Sequence, residues 1–96
     1  YNSESYIENA VYDVEGYEII FERAIAYFYS GNLRKSFDEL NLLLSKNQRP
    51  AECHYWIGHI YLNEDKKELA CENFNKSRQL GDQDAEQELV KYCNVK

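Results

Sequence analysis

Histidine and cysteine carry the most versatile chemistry in this chain, and their spacing limits what they can do. His54 and His59 stand five residues apart. On a helix that separates them by about 140°, so they cannot share a metal ion as a pair spaced by four could. Cys53 and His54 are neighbours, which at helical spacing points them in different directions. A nucleophile–base pair would have to be assembled across helices. No HExxH, GxSxG or glycine-rich phosphate motif occurs. With no convergent constellation, the expectation is a protein that is not an enzyme and uses no cofactor and no metal.

The three cysteines, Cys53, Cys71 and Cys93, are odd in number, widely spaced and without a CxxC pair. They predict reduced, partly buried thiols in a reducing compartment, with no disulfide framework. Asn75-Lys76-Ser77 fits the glycosylation acceptor pattern, but it falls in the middle of a helix and is read as chance.

A net charge of −6 argues against sequence-independent nucleic-acid binding and against docking on an anionic membrane. No apolar run approaches the roughly 18 residues of a membrane span, and no signal-peptide pattern is present. Methionine is absent, which suggests an excised domain or a processed product, and a cytoplasmic location is expected. The chain is also rich in aromatics, with nine tyrosines, four phenylalanines and one tryptophan. Such side chains supply binding energy at little cost in rotamer freedom.

The elements that must position these residues read as helices throughout. Tyr6, Ile7, Ala10, Val11 and Val14 recur three and four apart, predicting a helix over 3–14, capped by Ser3 or Ser5 and ended by Gly16. An almost wholly apolar run follows at 17–29, and Ser30-Gly31-Asn32 is a turn. Leu33, Phe37, Leu40, Leu43 and Leu44 form an amphipathic helix that ends at Asn47-Gln48-Arg49-Pro50. The next helix places Trp56, Ile57, Ile60 and Tyr61 on one face, with Gly58 among them. A glycine there costs about 1 kcal/mol against alanine, which predicts close approach of another helix.

Asn63-Glu64-Asp65 closes that helix, and Asp65 with Glu68 resembles a capping box opening the following one. Leu69, Ala70, Phe74, Ser77 and Leu80 are expected on its apolar side, with Gly81 as the residue that turns the chain at its end. Asp82 or Asp84 caps a last helix whose apolar side carries Leu89, Val90, Tyr92 and Cys93.

Overlaying these helices exposes a repeat of 34 residues: Ala85 follows Ala51, Glu86 follows Glu52 and Glu18, Tyr61 follows Tyr27, and Gly58 answers Ala24. Residues 17–50 and 51–84 form whole units, 1–16 a preceding half unit, and 85–96 a following half unit or capping helix. Within the second unit, Ala51-Glu52, Tyr55, Gly58 and Tyr61 resemble the AExxYxxGxxY line of Sel1-like repeats, relatives of the tetratricopeptide (TPR) class. Gly81-Asp82 through Ala85-Glu86 resembles their GDxxAE junction. The turns have TPR length, and Arg23 and His54 depart from the pattern's apolar preference.

The resemblance implies a single all-α domain: a short right-handed solenoid of antiparallel helix pairs, with about five or six helices. It also implies a concave groove lined by the first helix of each pair. Carried over residue by residue, the groove would present Glu18, Phe21, Ile25, Phe28 and Tyr29, then Glu52, Tyr55, His59, Leu62 and Asn63, and finally Glu86, Leu89 and Cys93. The cationic clamp of chaperone-tail-binding TPRs has no counterpart, because Phe21, Ile25, Glu52 and Trp56 stand there. The expected function is a non-enzymatic protein–protein interaction module that holds a peptide or partner segment. The alternative is a structural or self-associating segment of a longer repeat protein. Glu18, Glu52 and Glu86 would line one edge of the groove and favour a partner with basic and apolar residues. A first-turn position favoured by the helix dipole would explain the same glutamates without a partner.

Overall fold

The computed structural model describes residues 14–93. Five α-helices follow one another: α1 (Val14–Tyr29), α2 (Leu33–Ser45), α3 (Pro50–Asn63), α4 (Lys67–Gln79) and α5 (Gln83–Cys93). No strand occurs among the described residues, so the fold class is all-α as expected. The helix predicted over 3–14 lies outside the described residues. Gly16 does not end a helix: it is buried within α1. The chain divides into two compact units, Tyr1–Gln48 and Arg49–Lys96. The first holds α1 and α2, the second α3, α4 and α5.

The 34-residue repeat is visible in the helix bounds. Tyr29 and Asn63 end their helices 34 residues apart, as do Ser45 and Gln79, and Leu33 and Lys67 start theirs at the same interval. The backbone explains why the ends coincide. The amides of Gly31 and Asn32 return to the carbonyls of Phe28 and Tyr27, and those of Asp65 and Lys66 to Leu62 and Tyr61. The same pair of bonds closes α2 through Asn47 and Gln48, and α4 through Gly81 and Asp82. Each is a Schellman ending, which needs a left-handed residue just past the helix. Gly31, Asn47, Asp65 and Gly81 all have positive φ, at 86°, 54°, 62° and 105°.

Asp65 therefore does not open α4 as a capping residue. Its left-handed backbone is spent on closing α3, and the cap of α4 falls to Lys66, which makes no side-chain cap bond. Asp82 does cap α5, its Oδ1 accepting from the Asp84 amide at 2.9 Å.

Buried residues lie in both units. In the first, Ile20 and Ala24 on α1 are buried with Ser36, Leu40 and Leu43 on α2. In the second, Cys53, Ile57, Gly58 and Ile60 on α3 are buried with Ala70, Phe74 and Ser77 on α4, and Ala85 and Leu89 on α5. Gly58 permits the close approach expected of it: a Cβ added there would stand 2.6 Å from the Phe74 ring. Both buried serines are satisfied across the helix pair, Ser36 Oγ donating to the Ala24 carbonyl at 2.8 Å and Ser77 Oγ to that of Ala51 at 2.6 Å.

Three leucine or valine positions expected on apolar sides are exposed instead: Leu69, Leu80 and Val90 at 41%, 53% and 56%. The buried line of α4 runs through Ala70, Phe74 and Ser77, so Leu69 falls about 100° to its side. Leu80 lies beyond the last turn of α4 as its C-cap. On α5 the buried line is Ala85 and Leu89, and Val90 faces away from it.

The expectation of three reduced cysteines is overturned. Cys71 on α4 and Cys93 on α5 form a disulfide, with Cα atoms 5.9 Å apart. The turn between α4 and α5 contains Asp82, which stands eleven residues from each cysteine, so an antiparallel pair brings them level. Closing the loop between them, a sequence separation of 22, stabilises the unit by about 3 kcal/mol in the chain-entropy account. Cys53 stays a thiol, buried in the core.

Candidate functional site

The residues proposed for the groove fall on one line of each helix. Glu18, Phe21, Ile25 and Phe28 recur at three and four along α1, and Glu52, Tyr55, His59 and Leu62 do so along α3. In the first unit, Glu18, Phe21, Ile25 and Phe28 are half-buried, and Tyr29 is 75% exposed with its ring edge-on to Phe28 at 5.4 Å.

The second unit gathers more of them. Tyr55 meets His59 ring to ring at 4.7 Å, and the imidazole lies 5.2 Å from the Phe74 ring of α4. Trp56 completes the group, 5.5 Å from Tyr55 and 5.9 Å from His59. It is half-buried. From α5, Glu88 Oε2 stands 3.7 Å from His59 Nε2. Burial pushes the His59 pKa below its ordinary value; Glu88 pulls it up, and Lys91 adds to the lowering. The imidazole therefore favours its neutral form at neutral pH, presenting an aromatic ring with one donor and one acceptor.

Leu62 packs against the core of Ala70, Phe74 and Leu89, and the Asn63 side chain donates to the His59 carbonyl at 2.9 Å. Leu89 itself is fully buried and is part of that core, so it cannot line a surface groove. Ala70 on α4 and Ala85 on α5 are fully buried as well. Cys93, also expected on the groove, is bound to Cys71 instead.

The glutamates differ from one another. Glu52 sits in the first turn of α3 and pairs with Arg49 at 3.1 Å. Glu86 lies exposed in the first turn of α5. Glu18 is not in a first turn, because α1 begins earlier, at Val14, so the helix dipole does not account for all three. Glu52 also borders an open depression of about 500 Å³ that Asp82, Asp84 and Leu80 line with it, which concentrates negative charge there.

Two departures from the repeat pattern are answered within their own units. Arg23 pairs with Glu39, and His54 Nδ1 lies 3.0 Å from Asn73 Oδ1. The Asn73 amide nitrogen donates to the Leu69 carbonyl, which turns Oδ1 toward His54 and assigns the proton to Nδ1. Glu39 and Asn73 are themselves 34 residues apart. Sequence reasoning missed Glu88 and Phe74 as members of the aromatic group. A signal existed for Glu88, since it follows Ile20 and His54 by the repeat interval and puts a charge where Ile20 is apolar.

The thiol nearest in sequence to the aromatic group, Cys53, is buried and pushed up to about 12, far from a thiolate at neutral pH. Among the described residues, no three of His, Cys, Asp or Glu converge as a metal site would require. No described helix is long and apolar enough to cross a membrane. Comparison with protein-family profiles, with curated proteins and with solved structures gives no match.

Proposed function

We propose that this chain is a TPR/Sel1-like helical-repeat module that binds a peptide or partner segment through the first helices of its units, without catalysis. In this reading α1 and α3 are the helices that meet the partner. The observation that carries it is the aromatic group of α3, where Tyr55, Trp56 and His59 are all half-buried and so retain accessible surface beside Phe74. Partly exposed rings held in place by one another anchor a ligand at small entropic cost. The Glu52, Asp82 and Asp84 depression favours a partner that adds Lys or Arg to its apolar anchors.

A self-associating segment is the second reading, and exposed Tyr29 and Val90 favour it. Sedimentation of the isolated chain separates the two: a monomer fits the binding module, and a tight dimer that Tyr29→Ser dissolves fits self-association. The Cys71–Cys93 disulfide favours an oxidising compartment over the cytoplasmic location that composition suggests.

Selection from a displayed library of random peptides, followed by affinity measurement, tests the main reading. Tyr55→Ala should weaken the selected peptide by ten-fold or more, and Glu52→Gln should flatten its salt dependence. Selected peptides whose affinity is unchanged by Tyr55→Ala, Trp56→Ala and His59→Ala would refute it.

A further inference from the structure

We propose that the Cys71–Cys93 bridge is a latch on α5, opened by an external dithiol, and that α5 is a lid over the apolar face of α3 and α4. This inference stands apart from peptide binding and rests on how α5 is held. Its N-terminal end is fixed by the Schellman turn at Gly81 and by the Asp82 cap. Its middle is held by Ala85 and Leu89, its two fully buried side chains, and by the approach of Glu88 to His59. Its last turn is fixed by Cys93. Ala85, Leu89 and Cys93 recur every four residues, so the covalent contact continues the line along which α5 is buried. An eleven-residue helix is too short to persist alone in water. What it covers is apolar: Ala70 and Phe74, with Tyr55 and Leu62 packed beside them.

Both bridged cysteines are only partly buried, whereas Cys53 is buried in the core. Buried and pushed up to about 12, Cys53 is no ready thiolate to scramble the bridge, and opening is left to an outside reductant. A thiolate of a dithiol attacks the Sγ of Cys71 or Cys93, breaking the Sγ–Sγ bond and forming a mixed disulfide. The displaced cysteine leaves as a thiolate and takes up a proton. The second thiol of the reagent then attacks the mixed disulfide and releases the other cysteine. The reagent departs as its cyclic disulfide, having delivered two electrons and two protons. With the bridge gone, the opened state of α5 gains on the order of 100-fold in population, while the two-helix core of α3 and α4 stays folded.

Hydrogen–deuterium exchange of the whole chain, with and without dithiothreitol, tests this. Reduction should speed exchange of α5 amides by on the order of 100-fold and leave α1 and α2 unchanged. The central turns of α3 and α4 should keep their protection. Cys71→Ser/Cys93→Ser without reductant should reproduce the reduced pattern, and Cys53→Ala should respond as the unaltered chain does. Equal α5 exchange in the oxidised and reduced chains would overturn the proposal. So would loss of protection throughout α3 and α4, either on reduction or in the double variant, because the bridge would then be a staple of the whole unit and no latch.

Discussion

The two units hold the same 34-residue frame with different contents, and the differences compensate. Ala24 and Leu40 are buried in the first unit where Gly58 and Phe74 are buried in the second. One unit has the larger residue on its first helix and the smaller on its second; the other reverses the exchange. Ser36 on α2 and Ser77 on α4 occupy different repeat positions, yet each donates to a carbonyl of the helix before it. Arg23–Glu39 in the first unit is matched by His54–Asn73 in the second, an ion pair against a histidine–amide hydrogen bond. The second unit adds α5 and its disulfide. What recurs without exchange is the backbone: left-handed residues at Gly31 and Asp65, and at Asn47 and Gly81. The frame is thus marked at the helix ends, while the buried side chains at matching positions differ in size.

The sharpest way to break that balance is to empty the Phe74 position. Phe74→Ala should cost about 3–5 kcal/mol in urea denaturation. Trp56 is the single tryptophan and lies in the second unit, so its fluorescence should report this loss while the first unit keeps its helicity. Gly58→Ala should come next. Overpacking of this kind costs about 1–3 kcal/mol, helix propensity returns about 1 kcal/mol, and the fully buried Phe74 ring has nowhere to move, so the net change is a loss. Ser36→Ala and Ser77→Ala should then cost about 1 kcal/mol each, in parallel, if the cross-helix bonds are equivalent devices.

The smallest effect is that of His59. Its folded pKa lies below the unfolded one, so the unfolded chain takes up the proton first as pH falls. Its contribution is complete above about pH 6.5 and is lost as pH drops through that value toward the lowered folded pKa, with a slope of at most about 1.4 kcal/mol per pH unit. His59→Gln should remove that part of the pH dependence. An unchanged profile would mean that the His59 pKa does not differ between the folded and unfolded chains.

Much of this frame was legible in the sequence, because Gly31, Gly81 and Pro50 mark turns and the repeat interval aligns the helices between them. Gly58 was legible as a close-approach site for the same reason, since a glycine inside a good helix needs a cause. Asp65 was misread because an aspartate before a helix serves equally as a cap or as a left-handed closing residue, and only the backbone distinguishes them. Leu69 and Val90 were misread because each sits next in sequence to a buried residue, and a helix turns by about 100° between neighbours. The disulfide was missed by counting: an odd number of cysteines excludes complete pairing, but not one bridge and one buried thiol. Its signal was the equal distance of Cys71 and Cys93 from the turn at Asp82. Of the candidate site, the line through Tyr55 and His59 was legible from spacing. The parts that Phe74 and Glu88 play depend on which helices pack together, which spacing within one helix does not reveal.

The central claim, that the units share one frame and exchange volume across each helix pair, is tested most directly by moving the first unit's pair into the second. The measurement is the urea-unfolding free energy of Gly58→Ala/Phe74→Leu beside the two single variants. The account predicts that Phe74→Leu relieves the crowding caused by the alanine, so that the double variant is more stable than the sum of the single losses by about 1 kcal/mol or more. Losses that simply add would contradict it.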